Sequence, residues 1–369
     1  MPAAKEKELP RVDQLQDYDY AVAGHDGTMC DPDGSIFVKP CTQAEINFYE
    51  TTKSKYPAFA SLMPVYLGCL SLNGAGADQV GIDQAGAGVI PDGALQTVDG
   101  GLLASIGERI VSATQDVQAQ GAVMWVPSEG KKIQTDTSVV LENLTYGFHK
   151  PNVLDIKLGT RLYADDAPKQ KQERFQKLSR ETTHHKFGFR IAGMRVFRGS
   201  ENHVELNCDE YKIYDKDYGR YTVNDDNVLD ELKRFVFNKA AGIDENLGRA
   251  ICEAFAKDLG DMVEVMSDHE FHTFSTSLLL VFEGDGKMLR KAIDANNEYV
   301  DGATDPPATK RIDSGICLDD EDEVPALPPV FRLKLIDFAH AAWKPGSGTD
   351  ENTIKGVRSL QRLFSEMAQ

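Results

Sequence analysis

Asp155 and Lys157 stand two residues apart in the run Lys150-Pro151-Asn152-Val153-Leu154-Asp155-Ile156-Lys157-Leu158-Gly159. On an extended chain that spacing puts both side chains on one face, while Val153, Leu154, Ile156 and Leu158 anchor the backbone around them. One acid and one base facing the same cavity suit phosphoryl transfer: the acid orients a hydroxyl and the cation offsets charge on the moving phosphoryl group. From spacing alone, the alternative is a surface cross-strand ion pair.

A second carboxylate, Asp337, ends the apolar run Phe331-Arg332-Leu333-Lys334-Leu335-Ile336. At the mouth of a buried strand it is a hard ligand for Mg²⁺, which takes one or two carboxylates plus phosphate oxygens; a capping aspartate is the alternative. Lys39 lies at the end of a strand just before a helix carrying Glu45. In that layout a lysine reaches nucleotide phosphates and a helix glutamate holds it. Gly24-His25-Asp26-Gly27 offers a turn on the phosphate side, but the sequence has no Gly-rich fingerprint and no Walker motif.

Residues 169 to 198 speak to the substrate. They hold nine bases and two acids, a net of +7 inside a chain whose formal net charge is −18. Lys171, Arg174 and Lys177 recur at i, i+3 and i+6, so they share roughly one helix face and could clamp several phosphates of one ligand. A solvated helix face is the alternative. The aromatic interleaving of a single-strand nucleic-acid binder is missing. His184-His185 and His269-Glu270-Phe271-His272 lack the His-Glu-x-x-His spacing, and no cysteine cluster supports a structural zinc. His340, three residues after Asp337, would lie beside a metal held there.

The elements that must position these residues read as α+β. An Asp33-Gly34 turn leads into a strand at Ser35 to Lys39. Thr42 to Tyr49 then looks like a helix with Thr42 as N-cap and Glu45 as its reciprocal partner. Ser138 to Leu141, Ser277 to Phe282 and Val330 to Ile336 are short buried strands. Helical spacing marks Asp225 to Asn238, Asn246 to Asp258 and the end of the chain. Residues 71 to 107 contain nine glycines and little apolar periodicity, an irregular insertion. From 301 to 325 eight acids face two bases, which predicts a solvated loop.

The chain has 369 residues, 41% hydrophobic and 27% charged, so it can bury a substantial core. Its acidity argues against general affinity for nucleic acid or anionic membrane. No stretch approaches the roughly 20 apolar residues of a membrane span, and the N-terminus is charged rather than signal-like. Six cysteines sit singly, without a CxxC pair, and read as reduced thiols. No heptads are present, and the expectation is a monomer.

Four motifs in order resemble those of the inositol polyphosphate kinases: Pro151-x-x-x-Asp155-x-Lys157-x-Gly159, Gly188-Phe189-Arg190-Ile191-Ala192-Gly193-Met194-Arg195, Thr276-Ser277-Leu278-Leu279 and Ile336-Asp337-Phe338-Ala339-His340. Within that family, Lys171-Gln172-Glu173-Arg174, Ser179 to Thr183 and Val281-Phe282-Glu283-Gly284 are most similar to the fungal inositol polyphosphate multikinases. The resemblance implies a kinase-like bilobal fold. An N-lobe over residues 1–144 would carry the glycine-rich insertion (about 71–107). A C-lobe over 145–369 would carry a helical inositol-binding insert (about 165–187) and an acidic loop (about 294–328). ATP and Mg²⁺ are the implied cofactors. By resemblance, Lys39, Glu45, Glu142, Leu144 and Asp155 bind ATP, with the backbone of Glu142 and Leu144 at the adenine. Asp155 and Lys157 are catalytic, and Asp337 and Ser277 hold the metal. Lys157, Lys171, Arg174, Arg195 and His340 grip inositol polyphosphates. Location in nucleus and cytoplasm and transcription-factor partners are implied as well. An inositol hexakisphosphate kinase and a non-catalytic scaffold are the rival readings.

Overall fold

A computed structural model of the chain describes residues 12–23, 27–71, 135, 137–302 and 327–369. Among them two five-stranded antiparallel sheets dominate. The first has the order β1-β2-β3-β5-β4, with β1 Gln16–Asp17, β2 Met29–Cys30, β3 Ile36–Pro40, β4 Tyr66–Ser71 and β5 Thr137–Glu142. Helices α1 (Gln43–Lys55) and α2 (Pro57–Ala60) link β3 to β4. Thr42 caps α1 as expected, accepting from the Glu45 amide. The reciprocal half of the capping box does not form. The Glu45 carboxylate instead accepts from the Lys39 ammonium and the Phe338 amide, because a cation and an unpaired N–H at a buried site are stronger partners than a backbone amide that water can reach.

The second sheet has the order β11-β10-β6-β7-β8: β6 Pro151–Leu158, β7 Phe189–Phe197, β8 Tyr211–Tyr214, β10 Ser277–Glu283 and β11 Phe331–Ile336. A two-stranded ribbon pairs β9 (Phe271–Thr273) with β12 (Ala341–Trp343). Strand β6 is central, and its residues are buried apart from half-buried Lys157. Its alternation divides the work of the two faces. Leu154, Ile156 and Leu158 enter the main core. Val153 joins Leu144 and Val281 in a smaller cluster on the opposite side, the face that also carries Asp155 and Lys157.

Between β6 and β7 lie α3 (Lys169–Glu181) and α4 (His184–Phe187), within the span expected for the helical insert. Helices α5 (Lys216–Tyr221), α6 (Val228–Val236) and α7 (Glu245–Ser267) follow β8. The helix read at Asn246 to Asp258 is longer than its expected bounds because Leu259, Met262 and Met266 continue the apolar stripe and are all buried. Helix α8 (Gly286–Gly302) follows β10, and α9 (Glu351–Met367) closes the chain and packs against α7. The expected acidic loop at 294–328 is therefore corrected at its start: residues 294–302 continue α8, where helical hydrogen bonding outweighs the acidic composition, and 303–326 lie outside the described residues. Of the expected glycine-rich insertion, Ser71 ends β4 and the rest lies outside the described residues.

Strand β11 ties the second sheet to the segments that flank β4 and β5 of the first. Leu335 donates its amide to Leu62 O at 2.7 Å, the Lys334 ammonium donates to Ser61 O at 2.7 Å, and Arg332 Nη1 donates to the carbonyls of Leu144 and Tyr146 at 2.9 and 2.7 Å. Among the described residues no helix is long and apolar enough to cross a membrane, and the described cysteines are free thiols.

Candidate active site

The face of β6 that carries Asp155 and Lys157 forms one wall of a cleft, and the first sheet supplies much of the other. Its empty volume, counted out to the open mouth, is about 790 Å³. One end is apolar and lined by Phe37, Leu141, Leu144, Val153, Leu279 and Ile336. The other is polar, with Lys39, Asp155 and Asp337. A flat heterocycle suits the first end and phosphates the second.

Five elements converge at the polar end. Lys39, from β3, places its ammonium 2.9 Å from Glu45 Oε1 on α1 and 2.7 Å from Asp337 Oδ1 just past β11. Lys157, at the end of β6, binds the other carboxylate oxygen, Asp337 Oδ2. The hydroxyl of Ser277, which opens β10, lies 3.5 Å from that same oxygen. Register explains the assembly: Ser277 faces Lys157 on one side and Ile336 on the other, so the residue after Ile336 arrives beside both. The turn that brings it there gives Asp337 a φ of +65°, a left-handed conformation that aspartate tolerates better than most residues.

Burial alone would raise the Asp337 carboxyl, but Lys157 and Lys39 outweigh it and hold the group ionised, well below the usual carboxylate range. Lys39 mirrors this: burial works against its charge, and Asp337 and Glu45 hold its pKa above the ordinary lysine value. Asp155 differs. It is 3% exposed, its Oδ1 has no hydrogen-bond partner among the described residues, and burial raises its pKa against the opposing pull of Lys157. The surface ion-pair reading of Asp155 and Lys157 is thus excluded. They share a face, but the ammonium is bonded to Asp337.

The donors present fit a divalent cation that arrives with phosphates. Mg²⁺ is satisfied by one or two carboxylates plus phosphate oxygens. Asp337, the nearby Ser277 hydroxyl and the unpartnered buried Oδ1 of Asp155 are hard oxygen donors. Among the described residues no group of three or more His, Cys, Asp or Glu could form an all-protein metal cage.

Glu142 and Leu144 both line the apolar end. The Glu142 carboxylate is turned away, accepting from the Val65 amide at 3.0 Å, and the Leu144 carbonyl is held by Arg332. Lys171 and Arg174 lie one turn apart on α3. Lys171 is close enough to His340 that, after burial, its charge is the next cause holding the imidazole below its usual value.

Arg195 is not brought to this group, and the expectation for it is corrected. It faces Val153 across β6 and β7, four residues along the strand from Lys157. There it is buried, donating from Nη1 to Asp19 O at 2.7 Å. Its motif gave no sign of this, because the partner lies in an irregular segment 176 residues earlier.

Two residues were missed in the sequence. Arg190 lies opposite Lys157 in register and is buried close enough to Asp155 for each to favour the other's charge, although burial lowers the guanidinium to about 10. Its place in the Gly188-Phe189-Arg190 motif was the available signal. Arg332 had none beyond a charge inside an apolar run.

Comparison with known proteins agrees with this geometry. A model of the family described as Inositol polyphosphate kinase matches residues 138–365. The inositol polyphosphate multikinase of Saccharomyces cerevisiae is 31% identical over 396 residues, covering 96% of this chain and 99% of the relative. Inositol hexakisphosphate kinase 1 of Mus musculus is 26% identical over 254 residues, covering 65% of this chain and 54% of the relative. Among solved structures, the crystal structure of the S. cerevisiae inositol phosphate multikinase in complex with ADP and Mn²⁺ superposes with a TM-score of 0.56 at 26% identity, covering 91% of this chain and 100% of that one.

Proposed function

The chain belongs to the inositol polyphosphate kinase family, and on that premise we propose that it is an ATP-dependent inositol polyphosphate multikinase. It transfers the γ-phosphoryl group of ATP to hydroxyls of inositol trisphosphate and tetrakisphosphate, giving inositol pentakisphosphate. The observation that carries the reading is the convergence of Lys39 and Lys157 on Asp337 at the polar end of a cleft whose other end is apolar. The near full-length match to a multikinase, against a partial match to a hexakisphosphate kinase, favours the multikinase over its rival.

In this reading ATP lies between an N-lobe (1–144) and a C-lobe (145–369). The adenine enters the apolar end beside Glu142 and Leu144. Lys39, steadied by Glu45, meets the nucleotide phosphates. Lys157 is placed to touch both the γ-phosphate and the acceptor, neutralising charge as it moves. The unpartnered Asp155 oxygen accepts from a hydroxyl, of the acceptor ring or of the ribose. Asp337, with Ser277, would hold Mg²⁺, which supplies charge neutralisation on the phosphates. Lys171, Arg174 and His340 grip the acceptor's other phosphates. Catalysis is then mostly positioning and electrostatic stabilisation of an in-line transfer. Residence in nucleus and cytoplasm, a monomeric state and transcription-factor contacts belong to the same proposal and rest on the family resemblance.

The test is incubation of the purified protein with Mg·ATP and, separately, inositol 1,4,5-trisphosphate and inositol hexakisphosphate, with products resolved by anion exchange. Successive tetrakis- and pentakisphosphate peaks from the first are expected. Turnover of the second alone would replace the reading with a pyrophosphate-forming kinase, and turnover of neither with a scaffold.

A further inference from the structure

We infer that Arg195 is a positioning residue for the nucleotide: it anchors residues 17–23, which form the outer wall of the cleft, and so governs ATP affinity rather than the grip on inositol phosphates. The inference rests on the nucleotide reading of the cleft.

Residues 17–23 form a strap that has little structure of its own. Strand β1 is two residues long and pairs only with the two-residue β2, too short to hold a segment in place by itself. Yet Tyr18, Tyr20, Ala21 and Val22 all line the cleft, across from Val153 and Asp155. Something outside the strap must fix it there.

Strand β7 does so at two points. The Arg195 side chain is 7% exposed, and its Nη1 donates to the Asp19 carbonyl at 2.7 Å. Its guanidinium is 4.6 Å from the ring centre of Tyr20 and 4.1 Å from that of Tyr211, a cation packed against two aromatic rings. Two residues earlier on the same face, Gly193 lies so close to the strap that an added Cβ would sit 2.3 Å from the Val22 carbonyl oxygen. In register, Arg195 faces Val153 and Gly193 faces Asp155, the two cleft residues that β6 contributes beneath the strap. The Tyr18 hydroxyl adds a third tie, 3.1 Å from that of Thr145.

An arginine committed in this way is not available to a phosphate near Lys157, about 13 Å farther along the strand at about 3.3 Å per residue. Its contribution is to hold the wall in its binding conformation before the nucleotide arrives, which removes an ordering cost from binding.

The experiment compares the full-length wild type with Arg195→Gln and Gly193→Ala. ADP affinity is read by calorimetry, and KM is measured for ATP and for inositol 1,4,5-trisphosphate. Both variants are expected to weaken ADP and raise the ATP KM by about 10-fold, with the inositol trisphosphate KM unchanged. Unchanged ADP affinity in both variants, or a raised inositol trisphosphate KM alone, would overturn the inference. Hydrogen exchange on the wild type tests it without any variant. ADP should slow exchange in residues 17–23 and inositol trisphosphate should not; the reverse pattern would also overturn it. A wild type that binds no ADP would reject the nucleotide reading and this inference together.

Discussion

The ammonium of Lys39 lies 2.7 Å from Oδ1 of Asp337, 298 residues farther along the chain. Lys157 holds the second oxygen of the same carboxylate. One aspartate thus gathers two cations that an incoming triphosphate can share, and both lysines are poised at the polar end of the cleft before any phosphate binds.

In the proposed mechanism Lys157 is the cation that meets the transferring group, and Lys157→Ala removes it. The rate should fall on the order of 10²-fold or more, as loss of one transition-state donor does. Single-turnover assays at saturating ATP check this, and near-normal turnover would sink the assignment of Lys157.

Asp337→Asn should lose metal-supported turnover, and excess Mg²⁺ or Mn²⁺ should not restore it. The variant also leaves Lys39 and Lys157 without their counter-charge, so a lower melting temperature is expected with the far-ultraviolet spectrum retained. Activity that returns fully at high Mg²⁺ would remove Asp337 from the metal site.

Lys171→Ala combined with Arg174→Ala takes two charges from one face of α3. The KM for inositol trisphosphate should rise about 10-fold or more, with the KM for ATP unchanged. A rise in the ATP KM alone would place the basic face at the wrong substrate.

His184 gives a pH test of the fold. It is fully buried, its Nδ1 lies 2.7 Å from Gly159 O, and its pKa is lowered from 6.5 to about 3, chiefly by burial and then by Arg190. Above pH 6.5 the imidazole is neutral in both states and stability is untouched. As the pH falls from 6.5 toward 3 the unfolded chain takes up a proton that the folded chain refuses, so this site removes stability on the order of 1 kcal/mol per pH unit. Urea denaturation between pH 7 and pH 4, roughly that window, should show a shallower decline for His184→Gln, which keeps a donor for Gly159. Identical slopes would contradict the neutral buried imidazole.

Gly219, on α5, packs directly against β7. A Cβ there would lie 1.9 Å from the Ile191 carbonyl oxygen, a backbone atom of β7. Gly219→Ala should therefore destabilise the protein by about 1–3 kcal/mol, the usual range for overpacking. Chemical denaturation measures it, and a neutral result would mean that α5 shifts off the sheet freely.

Much of the site was legible because it is local. A spacing of two on an apolar strand is enough to put Asp155 and Lys157 on one face, since strand side chains alternate. Buried strands at β6, β10 and β11 show as apolar runs, and the basic excess around α3 needs no fold to be counted. Helix ends were read less well. The stripe of α7 continues through Leu259, Met262 and Met266, and the acids from 294 onward are carried by α8 rather than a loop. The two-residue strands β1 and β2 have no periodicity to read.

By itself, then, the sequence determined which faces exist: an acid and a base on one side of β6, a basic helix face, a carboxylate ending β11. Periodicity reports how a side chain leaves its own backbone, and nothing about what waits opposite. Only the tertiary structure decided the partners. The sheet order β11-β10-β6 and its register brought Asp337 to Lys157, packing gave the Glu45 carboxylate the amide of Phe338, and Arg195 came to lie under the strap instead of beside Lys157. Each of those contacts joins segments distant in sequence, and their pairing follows from how the elements pack to bury their apolar faces.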